Sequence, residues 1–147
     1  HDLRESVSRQ IASSHPFLLL GAASSGKREI AKFIHQNGPY AEGECVIYDC
    51  LNQSEQELHS YLIDASGQFG AQVTRAEKGT LILLNADRLP LSVQKLLAIH
   101  LDRFAKTTRL ILLAEASLED GLEQGTIDDA FYFRFGSDVI EVPEKSC

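Results

Sequence analysis

The stretch Phe17-Leu18-Leu19-Leu20-Gly21-Ala22-Ala23-Ser24-Ser25-Gly26-Lys27-Arg28 decides the fold. Four large apolar residues in succession mark a strand buried on both faces, because a sheet with one wet face would alternate. Gly21 to Lys27 fits G-x-x-x-x-G-K, and Lys27 to Gln36 reads as a helix with Ile30, Phe33 and Ile34 facing in. A buried strand, a small-residue turn and a helix start form the context in which this spacing binds phosphate. Small residues let the backbone curl until successive N–H groups converge, and the helix N-terminus adds partial positive charge. Gly21 and Gly26 are candidates to shape the cradle, and Ala23, Ser24 and Ser25 to supply amides. Lys27 is the candidate cation for outer phosphates, and Arg28 can also pair with phosphate. The competing reading is a glycine-rich turn with a solvated lysine.

Outward from this turn, buried strands are expected at Glu44–Asp49, Thr80–Leu84, Arg109–Leu113 and Val139–Val142. Helices are expected at His1–Ser14, at Ser92–Phe104, at Leu118–Glu123 and at Ile127–Phe133, the last capped by Thr126. Asn52 with Glu55 suggests a capping box for a further helix reaching about Ala65, and Ser66 to Lys78 reads as irregular. Uniformly apolar strands alternating with helices predict an α/β fold. It has a five-stranded parallel sheet covered on both faces, right-handed crossovers, and a ligand site beyond the carboxyl ends of the strands.

Composition agrees. The 147 residues predict one domain, 1–147, at roughly 150 residues per domain. With 44% apolar and 24% charged residues the chain is an ordinary globular protein, not a disordered or coiled-coil one. Its net charge of −7 argues against holding DNA by itself. The run from Pro16 to Leu20 is far short of the ~20 residues a membrane span needs. No signal peptide opens the sequence, and Cys45, Cys50 and Cys147 read as reduced thiols, so a cytoplasmic setting is expected. His35 and His100 read as packing or surface groups, and Glu55 with His59 is too small a set for a metal. No Met is present, which suggests a domain excised from a larger protein.

Two features depart from a working ATPase. Most loops of this kind place Ser or Thr after the Lys to ligate magnesium, and here that position is Arg28. The third strand, Gly79-Thr80-Leu81-Ile82-Leu83-Leu84-Asn85, ends without the acids that hold the metal and polarise water. Asn85 can orient a water but cannot accept its proton, and general-base help is worth about 10²- to 10⁴-fold.

The order of segments resembles the central AAA+ domain of bacterial enhancer-binding regulators, which activate sigma-54 RNA polymerase. Gly21–Lys27 with Ile30-Ala31-Lys32-Phe33-Ile34-His35, the strand Cys45–Cys50, and Leu89-Pro90-Leu91-Ser92-Val93-Gln94-Lys95-Leu96-Leu97 carry the resemblance. It implies a P-loop NTPase fold. It also implies that the acidic pair maps onto Leu84 and Asn85, the polar residue of the sensor strand onto Glu115, and the arginine fingers onto Asp128 and Arg134. The segment between about Leu62 and Lys78 is too short for the polymerase-contacting loop. The helical lid after the fifth strand is missing from the sequence.

The resulting expectation is a regulator's domain that binds ATP, ADP or another phosphorylated signal such as a cyclic dinucleotide. Magnesium use is doubtful and no catalytic residue is retained. It would act as an oligomerising, ligand-sensing core between a sensor or receiver domain and a DNA-binding helix-turn-helix module. Sigma factor and RNA polymerase are the implied partners. Two alternatives stand beside it. One is a pure interaction module with an empty loop. The other is a residual ATPase using the displaced carboxylates Asp49 and Asp87.

Overall fold

The computed structural model describes residues 3–144. Strands β1 (Phe17–Leu20), β2 (Cys45–Asp49), β3 (Thr80–Leu84), β4 (Arg109–Ala114) and β5 (Val139–Glu141) form one sheet in the order β2-β3-β4-β1-β5. Every pairing is parallel, with Leu18 opposite Leu112 and Val139, and Ile82 opposite Ile47 and Ile111.

The helices are α1 (Leu3–Ala12), α2 (Lys27–Asn37), α3 (Glu55–Leu62), α4 (Ala71–Arg75), α5 (Leu91–Ala105), α6 (Leu118–Gln124) and α7 (Asp129–Phe135). Strand side chains alternate between faces, so each apolar strand serves two cores. Phe17, Leu19, Ile82, Ile111 and Leu113 pack with Ala31 and Ile34 of α2 and with the apolar stripe Leu3, Val7 and Ile11 of α1. Leu18, Leu81, Leu83, Leu110 and Leu112 pack with α3, α4, α5, α6 and α7 on the other face. Among the described residues, no helix is long and apolar enough to cross a membrane.

Several local expectations are corrected. His1 and Asp2 lie outside the described residues, and α1 ends at Ala12 rather than Ser14. The capping box is Ser54 with Glu57, not Asn52 with Glu55: Ser54 Oγ accepts from Glu57 N–H and Glu57 Oε1 accepts from Ser54 N–H. Asn52 instead sits at φ +65° in a turn, a conformation its short amide side chain tolerates. Helix α3 ends at Leu62, because Ile63 turns extended and bridges Phe69.

The expected irregular segment contains α4. Its five residues are too few to display a helical period, and its helicity is secured by the burial of Val73. Phe69 stacks on Phe104 at 4.7 Å, with the Arg103 guanidinium over its ring. Helix α7 is capped by Asp128, whose carboxylate accepts from Ala130 and Phe131 N–H; Thr126 Oγ1 donates instead to Gly121 C=O.

Candidate functional site

The Gly21–Lys27 turn lies at the carboxyl end of β1, between β4 and β5. Gly21 N–H donates to Ala114 C=O at 3.0 Å, anchoring the turn to the neighbouring strand. A Cβ at Gly21 would stand 2.8 Å from both the Val142 carbonyl oxygen and Ser25 Oγ, so the backbone passes where no side chain fits. Ala23–Ser25 form one 3-10 turn, closed by Ser25 N–H to Ala22 C=O. Gly26 then takes φ +85°, which reverses the chain into α2 at no cost to a residue without Cβ.

No side chain caps α2, and its first helical bond runs from Ile30 N–H to Gly26 C=O. The amides of Lys27, Arg28 and Glu29 therefore have no acceptor within the helix, which is the physical basis of an anion site. Lys27 Nζ folds back onto Ala22 C=O at 3.1 Å, and Ser24 Oγ donates to Glu144 Oε1 at 3.4 Å. Ser25 Oγ is buried with no partner among the described residues.

The turn opens on a cleft of about 240 Å³. Ala23, Gly26, Lys27, Arg28 and Glu29 line one side; Leu84, Asn85, Leu113 and Glu115 close the other from the ends of β3 and β4. Ala23, Gly26, Lys27 and Arg28 of the phosphate-loop candidates thus share one cavity with the two acidic-pair positions, while Gly21, Ser24 and Ser25 do not line it. Sequence reasoning missed Glu29, and it noted Glu115 only as a departure from the resemblance. Glu29 lies in the first turn of α2, where an acid ordinarily reads as support for the helix dipole.

The displaced carboxylates do not line this cleft. Asp49 Oδ1 accepts from Asn85 Nδ2 at 2.7 Å and from Leu51 N–H at 2.9 Å. Asp87 Oδ2 accepts from Ala116 N–H, and Asp87 borders a second cleft of about 500 Å³ with Arg88, Pro90 and Thr126.

At the positions where the resemblance expects metal-binding groups, Arg28 is a cation, Leu84 has no side-chain polar atom and Asn85 donates its amide N–H to Asp49, while the carboxylates lining the cleft are Glu29 and Glu115. Among the described residues, no group of three or more His, Cys, Asp or Glu side chains is placed to hold a metal ion.

Arg134 stands apart from the cleft. Its Nη2 donates to Asp102 Oδ1 on α5 at 2.6 Å. Asp128 is occupied as the α7 cap, with Lys95 Nζ at 3.9 Å. The stretch Leu89–Leu97 has a clear physical role: Gln94, fully buried, donates to Leu89 and Thr126 C=O and accepts from Asp128 N–H. One amide thereby joins α5 to the segment leading into α7.

A family profile described as a Sigma-54 interaction domain matches residues 1–144. The chain belongs to that family. Among curated relatives, a putative sigma L-dependent transcriptional regulator of Bacillus subtilis (strain 168) is 30% identical over 141 residues, covering 95% of this chain and 41% of that protein. A probable regulatory protein of a pathogenicity locus in Pseudomonas syringae pv. syringae is 32% identical over 145 residues, covering 86% of this chain and 48% of its own. The chain therefore spans less than half the length of these relatives.

Solved structures share the fold. The P-loop NTPase domain of an Escherichia coli sigma-54 activator superposes with TM-score 0.73 at 22% identity, covering 97% of this chain and 93% of that one. The regulator NtrX from Brucella abortus, solved in complex with ADP, superposes with TM-score 0.79 at 22% identity, covering 96% and 35%. This sigma-54 interaction domain thus has the AAA+ α/β architecture, and its cleft lies beyond the carboxyl ends of the strands, where open α/β sheets take ligands.

Proposed function

We propose that this sigma-54 interaction domain binds a nucleoside phosphate at the Gly21–Lys27 turn and does not hydrolyse it, so that occupancy rather than turnover is the signal. One observation carries the reading. The free amides at the start of α2 and Lys27 face the same cleft as Leu84 and Asn85, the two strand-end positions from which an acid would hold the metal and activate water and which carry none. Gly21, Ala23, Ser24, Ser25, Gly26, Lys27 and Arg28 form the phosphate side of the site. A ligand that binds only the folded or assembled state shifts that equilibrium without any reaction. In a longer cytoplasmic regulator, the domain would couple a sensor or receiver module to self-association, to a sigma factor and RNA polymerase, and to DNA through a separate module. Arg134 is a candidate for reaching a neighbour's nucleotide in such an assembly.

Calorimetric titration of wild type and Lys27→Ala with ATP and ADP tests the phosphate role. Loss of affinity in the variant supports it, and equal affinity removes the turn from the site. Phosphate release above background from contaminant-free protein overturns the loss of hydrolysis.

One observation favours a second reading, a protein-interaction module with an empty loop. Lys27 Nζ already has a partner in Ala22 C=O, so the turn satisfies part of its own charge. A thermal melt separates the two. Ligand at 100 times its dissociation constant adds about 2.7 kcal/mol, while an empty loop shows no shift.

A further inference from the structure

We infer that the second cleft, bordered by Asp87, is a binding site for an aliphatic cation, an alkylguanidinium or alkylammonium group whose charged end pairs with the Asp87 carboxylate. The inference is independent of the phosphate site and uses none of its residues.

The unsatisfied group at this cleft is Asp87 itself. It lies just past β3 and borders a space of about 500 Å³. Its Oδ2 accepts from Ala116 N–H at 3.0 Å, which fixes the carboxylate against the segment that follows β4. Its Oδ1 is buried and has no hydrogen-bond partner among the described residues. Among those residues no salt bridge reaches Asp87 either. A carboxylate oxygen taken from water without a donor carries a desolvation cost. A donor that brings its own positive charge offsets that cost best.

The walls select the kind of donor. Pro90 and Leu91 give the cleft an apolar side, and Leu91 is 43% exposed. Opposite them, α6 ends at Gln124 and the chain turns at Gly125 with φ +81°. Nothing stands within 4 Å of the place a Gly125 Cβ would take, so the backbone is open there. The C-terminal end of a helix adds partial negative charge and carbonyl acceptors. Asp87 is the one acid lining the cleft, and the exposed Arg88 is the one cation lining it. A positive group is therefore drawn to the carboxylate and carbonyl side. An aliphatic stem packs on Pro90 and Leu91, as the stems of Lys and Arg cover apolar surface elsewhere. A guanidinium, with several N–H groups in one plane, serves Oδ1 and the α6 carbonyls together.

The test is an NMR titration of the isotope-labelled chain, read at the amides of Ala116, Gly125 and Thr126. Butylguanidinium chloride and butylammonium chloride stand for a free ligand. The peptide acetyl-Gly-Arg-Gly-amide stands for a side chain of another protein, and butanol is the neutral control. Wild type is expected to show saturable shifts at these amides with the cations and none with butanol. Asp87→Asn keeps an oxygen for the Ala116 N–H and removes the charge, and is expected to bind about tenfold more weakly. Leu91→Ala, at an exposed position, is expected to weaken binding about threefold and keeps the inference falsifiable should Asp87→Asn unfold. Tighter binding of the peptide than of butylguanidinium supports the site and assigns it to a protein side chain. The reverse order supports the site and assigns it to a small molecule. No saturable shift with any cation, equal shifts with butanol, or unchanged affinity in a folded Asp87→Asn or in Leu91→Ala overturns the inference.

Discussion

Asn85 donates from Nδ2 to Asp49 Oδ1 across 2.7 Å, joining the carboxyl ends of the adjacent strands β3 and β2. An amide therefore occupies the place where the family resemblance expects an acid, and its hydrogen-bonding capacity is used to hold the nearest carboxylate. Asn85 does this from φ +61°, a backbone conformation that Asn and Asp both tolerate.

Replacing Asn85 by Asp changes the charge without changing the backbone preference. Two carboxylates at hydrogen-bond distance cannot both ionise without repulsion. The variant is expected to melt several degrees below wild type at pH 8, with the gap narrowing toward pH 4 as one shared proton restores an O–H···O bond. Melting curves across that pH range check it. Phosphate release is expected to remain at background, because one acid rebuilds neither the metal shell nor the base.

Gln94 makes three hydrogen bonds in full burial. Gln94→Leu keeps much of the volume and strands the Asp128 N–H and two carbonyls. A loss of about 2–4 kcal/mol is expected, read by denaturant unfolding.

His35 is buried, with Nδ1 2.6 Å from Thr80 Oγ1. Burial holds its pKa below the ordinary histidine value, a backbone bond to Gly43 acts the other way, and the charge of Arg109 adds to the lowering. The unfolded chain therefore takes up a proton near the ordinary histidine pKa that the folded chain refuses. Stability due to this group is complete well above that pH and declines as pH falls through it. His35→Gln is expected to be less stable at pH 8 yet to lose less stability between pH 8 and pH 5 than wild type. Denaturant titrations at the two pH values measure this, and an unchanged slope would show that His35 does not carry the dependence.

Cys50 is buried just past β2, and burial pushes its thiol up to about 12, with the charge of Asp49 adding to the effect. The thiolate is the reactive species, so native Cys50 is expected to resist a thiol reagent at pH 8 and to label fully on unfolding. Half-buried Cys45 is also raised by burial, with Lys32 opposing. Labelling followed by mass spectrometry in a Cys147→Ser background assigns each site.

Arg134 pairs with Asp102, whose side chain is 86% exposed, so the pair adds little to stability. Arg134→Ala is expected to change unfolding free energy by no more than about 1 kcal/mol. Sedimentation with and without ADP shows whether the arginine serves assembly. If assembly is the same in variant and wild type, its role is confined to the pair with Asp102.

Much of the fold is legible in the chain because long apolar runs leave little choice. Phe17–Leu20, Thr80–Leu84 and Arg109–Ala114 lie in the core of the sheet, and helices of ten or more residues show their period, although Phe33 of α2, expected to face in, is 51% exposed. Short elements are not legible in this way. Helix α4 has one buried residue, and the cap of α3 was misplaced because Asn52 and Ser54 each stand three residues before a Glu. The site shows the same division. Glycine spacing marks the turn, since Gly21 and Gly26 meet backbone constraints that no other residue satisfies well. Glu29 and Glu115 belong to the same cleft from 86 positions apart, and nothing local to either announces it.

By itself, then, the sequence determined a parallel α/β sheet, a phosphate-type turn at the end of β1, and the lack of an acid at the end of β3, because each is written in contiguous residues. Tertiary structure alone decided that Asn85 would hold Asp49, that Gln94 would join α5 to the Thr126–Asp128 segment, and that Arg134 would choose Asp102. Those pairings depend on strand order, register and helix packing, which bring together side chains that local periodicity cannot relate.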